Sequence, residues 1–151
     1  MKRLLGCILF LSTGILAQTT SMESTFLAMK DPHASRSALS TKLAMEMTML
    51  SAKVAGSDRS PAQTTVTRFC EDLTNALLGK DITTVRAAAL QKSIAGVLSG
   101  KGSTFLPASS FRETLVSCGI DDRTVQVIVD RFTRLGQEVR GPDDLPLQKS
   151  K

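Results

Sequence analysis

The side chains with the widest chemical range in this 151-residue sequence are three cysteines, a single histidine and a cluster of methionines. Cys70 and Cys118 each fall on the apolar arc of a predicted helix, with no CxxC pair and no histidine nearby in sequence to activate a thiolate. A nucleophilic role is therefore not expected. In an oxidising compartment the two would form a disulfide, and closing so long a loop is worth ~4 kcal/mol on the chain-entropy model. The competing reading is a pair of buried free thiols packed as small hydrophobes. His33 follows Pro32 in a predicted loop, and being alone it excludes any site built on two histidines. A metal would have to rely on carboxylates, but Asp121-Asp122 and Asp143-Asp144 lack the spaced ligands of a calcium loop and read as cap and turn residues.

Gly100-Lys101-Gly102-Ser103-Thr104 is similar to the end of a phosphate-binding loop, yet Gly102 stands where Ser or Thr should follow the lysine, and Ala95 where the leading glycine belongs. It reads as a flexible loop. No catalytic residue, metal ligand or cofactor-binding residue is predicted, and the chain is expected not to be an enzyme. Met45, Met47 and Met49 lie among Leu43, Leu50 and Val54, where flexible thioethers serve either as core filler or as an adaptable surface for apolar partners. On a helix the i, i+2, i+4 spacing turns Met47 away from the other two, which argues against joint capture of copper.

Compartment follows from the first residues. Lys2 and Arg3 form a short positive region, Leu4 to Ala17 is apolar and uncharged, and Ile15-Leu16-Ala17 before Gln18 offers a small-residue cleavage site. Residues 1–17 are thus expected to be a secretory signal peptide, cleaved after Ala17, and its brevity suits bacterial export to the periplasm or the medium. The apolar run is shorter than the ~20 residues a membrane-spanning helix needs, and no later segment replaces it, so the mature chain is expected to have no transmembrane segment. Leu4-Leu5-Gly6-Cys7 resembles a lipoprotein processing box, but only three residues precede Leu4 and the apolar stretch does not come before the cysteine. Cys7 is expected to leave with the signal.

The whole chain carries 19 Lys and Arg against 14 Asp and Glu, and losing Lys2 and Arg3 reduces that to a mild excess. The excess is dispersed: Arg123, Arg131, Arg134 and Arg140 alternate with Asp121, Asp122, Asp130 and Glu138, so no single-sign patch for phosphate is visible. With no Trp or Tyr to stack bases, nucleic acid is not an expected partner.

Helical periodicity organises residues 18–139 as one domain, and residues 140–151 read as a flexible tail broken by Gly141, Pro142 and Pro146. From Arg123 to Val139, Val125, Ile128, Val129, Phe132, Leu135 and Val139 share an arc, with Val127 alone misplaced on the polar side. Pro107 opens a segment in which a capping box at Ser110-Phe111-Arg112-Glu113 fits the start of a short helix that Gly119 ends. Gln63 to Leu78 is amphipathic and terminated by Gly79, and Asp81 begins another helix to Leu98 whose Ala89 and Gly96 allow close approach. Ser35 to Val54 is long, with Leu39, Leu43, Met47, Leu50 and Val54 at three- and four-residue spacing, and a shorter helix fits Ser21 to Met29. No strand-like alternation appears. The expected fold is all-α, a compact bundle of four or five short amphipathic helices tied by a Cys70–Cys118 disulfide.

Three functions suit such a chain. One is an exported, non-enzymatic module that binds a protein or cell-envelope partner through the face Leu39, Leu43, Met47, Leu50 and Val54. The second is a carrier holding a small apolar ligand in a cavity lined by Met47, Phe69, Phe111 and Phe132. The third is a hydrolase, which requires polar groups converging in a cleft.

Overall fold

The computed structural model describes residues 22–54, 59–101 and 104–140, and these form six helices with no strand among them. They are α1 (22–28), α2 (Arg36–Val54), α3 (Gln63–Leu77), α4 (Thr84–Leu98), α5 (Phe105–Ser117) and α6 (Asp122–Arg140). The all-α expectation holds, but the helix count exceeds four or five. The short α1 is a full member of the bundle, because Met22 and Phe26, with Met29 just beyond it, are buried in the common core. The signal segment, Asp143-Asp144 and the tail beyond Arg140 lie outside the described residues.

Two sequence-adjacent pairs, α2 with α3 and α4 with α5, are joined by α6, which packs on α3, α4 and α5. The apolar arc of α6 explains that central position: Val125, Ile128, Phe132, Leu135 and Val139 are all fully buried, while Val127 on the opposite side is exposed. Phe69, Phe111 and Phe132 bring α3, α5 and α6 together, with ring centroids 5.8, 6.2 and 4.3 Å apart. Close contact also depends on small residues. A Cβ on Gly136 would lie 2.5 Å from Thr104 Cγ2 and 2.9 Å from Val97 Cγ2, and one on Gly96 would lie 3.3 Å from Pro107 Cγ.

Helix ends follow local chemistry. Asp121 caps α6 by accepting from the Thr124 amide at 3.0 Å and the Thr124 hydroxyl at 2.8 Å, and these two bonds hold its carboxyl below the usual carboxylate range. At the end of α5, Gly119 adopts a left-handed φ of 99°, the Gly119 amide donates to Val116 O and the Ile120 amide to Leu115 O. This paired pattern satisfies carbonyls that the helix leaves open. Two starts differ from the periodicity. Helix α4 begins at Thr84, capped by the Thr83 hydroxyl, while Asp81 remains outside and pairs with Arg86 at 2.8 Å. Helix α5 begins at Phe105 and not at Ser110, because Pro107 falls in the first turn, where a missing amide donor breaks no helical bond. The capping box is therefore interior to the helix, where the Ser110 carbonyl accepts from Thr114 Oγ1.

The disulfide expectation is corrected: Cys70 and Cys118 are both free and both buried. Their helices aim them at different neighbours. Cys70 donates from Sγ to Met47 Sδ on α2 at 3.4 Å. Cys118 ends α5, and its carbonyl accepts from the Asp81 amide ahead of α4 at 3.4 Å.

Candidate functional site

Helix α2 is apolar around much of its circumference, so packing one side against the bundle leaves apolar surface on another. Leu43 and Met47 are in the core, and Leu39, Leu50 and Val54 pack partly buried against it. The face expected to meet a partner is thus turned inward, since it is the stripe that α3 and the rest of the core cover. Met45 and Met49, four residues apart and on the same side of the helix, are instead 61% and 69% exposed. The methionine cluster divides into one core filler and two surface residues.

Met45 and Met49 form one wall of a groove of about 460 Å³ between α2 and α3, completed by Ala44, Thr48, Thr67 and Glu71. A second lobe of about 290 Å³ continues it through Ser40, Thr41 and Glu71 to Arg36 and Asn75. Arg36 is engaged there, donating from Nη1 to Asn75 Oδ1 at 2.8 Å. Glu71 borders both lobes and is exposed. The arrangement is an apolar shelf beside a carboxylate, open to solvent, without a nucleophile and base set against each other.

A second groove of about 610 Å³ runs between α3 and α6 and is cationic, lined by Thr64, Thr65, Arg68, Val127, Asp130, Arg131 and Arg134. The alternation of charges along the sequence conceals it, because the arginines come from two helices and their carboxylates are consumed elsewhere. Arg131 pairs with Asp72. Asp130 accepts from Gln126 Nε2 at 2.8 Å, and Gln126 in turn accepts from Arg112 Nη2 at 2.6 Å. Glu138 spans the start of α3, accepting from the Ala62 amide at 2.8 Å and the Thr65 hydroxyl at 2.7 Å, with Arg134 at a longer 3.4 Å. Val127, the one residue out of place in the helical pattern, was the available sign of this surface.

The remaining sequence candidates do not come together. His33 is in an exposed loop, where its amide donates to Asp31 Oδ1 at 2.9 Å. Gly100 and Lys101 follow α4, while residues 102 and 103 lie outside the described residues. Met47, Phe69, Phe111 and Phe132 are packed in the core, where the three rings lie against one another. Burial, with Glu71 and Glu46 adding negative potential, pushes the Cys70 thiol up to about 12. Burial also raises that of Cys118. Both are protonated packing groups at neutral pH. Among the described residues no three of His, Cys, Asp and Glu converge as metal donors, and no helix is long and apolar enough to cross a membrane.

No family model, curated protein or solved structure matches this chain.

Proposed function

We propose that this chain is an exported, non-enzymatic binding module whose α2/α3 groove takes an amphipathic helical segment of a cell-envelope protein, apolar on one face and basic beside it. The observation that carries the reading is the exposed Met45–Met49 shelf bordered by Glu71. Thioethers adapt to apolar side chains of varied shape, and one exposed carboxylate at the edge of an apolar surface favours a partner with a positive charge at the same offset. Lys2, Arg3 and the apolar run to Ala17 support export.

The test is fluorescence anisotropy with a fluorescein-labelled helical peptide carrying leucines at i, i+4 spacing and a flanking lysine. Binding should be lost in the double variant Met45→Glu/Met49→Glu, weakened about tenfold in Glu71→Gln, consistent with loss of a charge-assisted contact, and kept in Val85→Glu, which alters an exposed residue outside the groove. Absence of binding, or equal loss in Val85→Glu, would overturn the assignment.

A further inference from the structure

The α3/α6 groove carries an inference independent of the α2/α3 groove. Charge accounting at its walls is uneven. Of the three guanidinium groups that line it, only that of Arg131 is firmly committed, to Asp72. Asp72 is also the carboxylate four residues along α3 from Arg68, the position from which it would otherwise neutralise that arginine on the helix surface. Arg68 is exposed and has no ion pair among the described residues. Arg134 reaches Glu138 at 3.4 Å with its side chain 67% exposed, and both Glu138 oxygens already accept shorter bonds from Ala62 and Thr65. An exposed pair of that length contributes little and does not compete strongly with a better acceptor. The one carboxylate on the groove lining, Asp130, accepts from Gln126.

We infer that the groove is a binding site for a phosphate group, held between Arg68 of α3 and Arg134 of α6. The residue types select the ligand. Two guanidinium forks approaching from different helices, with the Thr64 hydroxyl on the same lining, call for acceptor oxygens pointing in several directions. A tetrahedral phosphate offers them, whereas a single planar carboxylate satisfies one fork. Exposed Val127 on the lining gives the organic part of a phosphate ester an apolar surface to lie on. The phosphate belongs either to a soluble ester or to a lipid headgroup, since both present the same oxygens to the two arginines.

Isothermal titration of the full chain with phenyl phosphate, and co-sedimentation with phosphatidylcholine vesicles with and without phosphatidylglycerol, test the site and separate the two sources. Saturable binding in either arm should weaken about tenfold in Arg68→Gln and again in Arg134→Gln, the loss expected for one charge-assisted contact each. It should be retained in Arg86→Gln, which removes a similar charge on α4, outside the groove, whose partner is Asp81 ahead of that helix. Val127→Glu, at an exposed position, should weaken binding through repulsion without depending on any arginine substitution. Phenyl phosphate binding supports a soluble ligand, and binding confined to phosphatidylglycerol vesicles supports a headgroup. No saturable binding in either arm, or equal loss in Arg86→Gln, would overturn the proposal. Circular dichroism melts of each variant separate a lost contact from a lost fold.

Discussion

At the scale of single residues, burial decides whether a group reacts or packs. Cys70 is 0% exposed, with its proton directed at Met47 Sδ, and a thiolate there would lose hydration without gaining a cation. The folded protein therefore holds the proton more tightly than the unfolded chain, whose cysteine titrates at about 8.5. This stabilisation is fully present below the unfolded value and is lost as pH rises from there towards the folded value of about 12. Urea unfolding of the native chain should show a stability that falls through this window, and Cys70→Ala should flatten the fall. The same thiol should resist iodoacetamide in the folded protein and react in urea without prior reduction. Rapid alkylation of the folded chain, or a requirement for reductant in urea, would contradict the buried free thiol. The types and positions of Cys70 and Cys118 are legible in the sequence as two apolar-face residues, but their separation is not, because periodicity says which side of a helix is buried and not what stands opposite.

Elements were legible in proportion to the contrast between their faces. In α6 the buried residues Val125, Ile128, Phe132, Leu135 and Val139 stand apart from charged neighbours, and the observed helix differs from the expected one by a single residue at each end. In α2 the apolar positions wrap too far round for periodicity to choose a side, so Leu43 and Met47 suit a core, the commoner use of such a stripe, and also a binding face. The start of α5 was obscured because Pro107 and Ser110 each suit a helix beginning, and local preference does not rank them. Glycine positions make the packing testable. Replacing Gly136 by alanine gains about 1 kcal/mol of helix propensity, but its Cβ would meet Thr104 and Val97 at 2.5 and 2.9 Å. Overpacking of this kind costs about 1–3 kcal/mol, so the net change should be destabilising. Gly96→Ala, facing Pro107 Cγ at 3.3 Å, should be tolerated better. Equilibrium urea unfolding ranks the two variants, and a more stable Gly136→Ala would show that α6 is free to move away from α4 and the start of α5.

For the molecule as a whole, the proposed export and the free thiols have to be reconciled. An oxidising compartment permits disulfides but does not compel them: exchange requires a thiolate with access, and both cysteines are buried and held protonated. Two unpaired thiols are therefore compatible with a folded exported chain. The core also limits where the proposed cleavage could fall. Met22 is 3% exposed and Phe26 fully buried, so cleavage after Ala17 spares every described core residue, whereas cleavage beyond Met22 would remove part of the bundle. Expressed with its own first residues in a bacterium, the chain should be recovered from the periplasm or medium with an intact mass corresponding to a start at Gln18. Replacing Lys2 and Arg3 by glutamate should retain a longer, uncleaved chain in the cell, because the positive region orients the apolar segment for translocation. A full-length chain in the cytosol of cells carrying the unaltered sequence would remove export from the proposed function. It would leave the α2/α3 and α3/α6 grooves to be assigned partners in a different compartment.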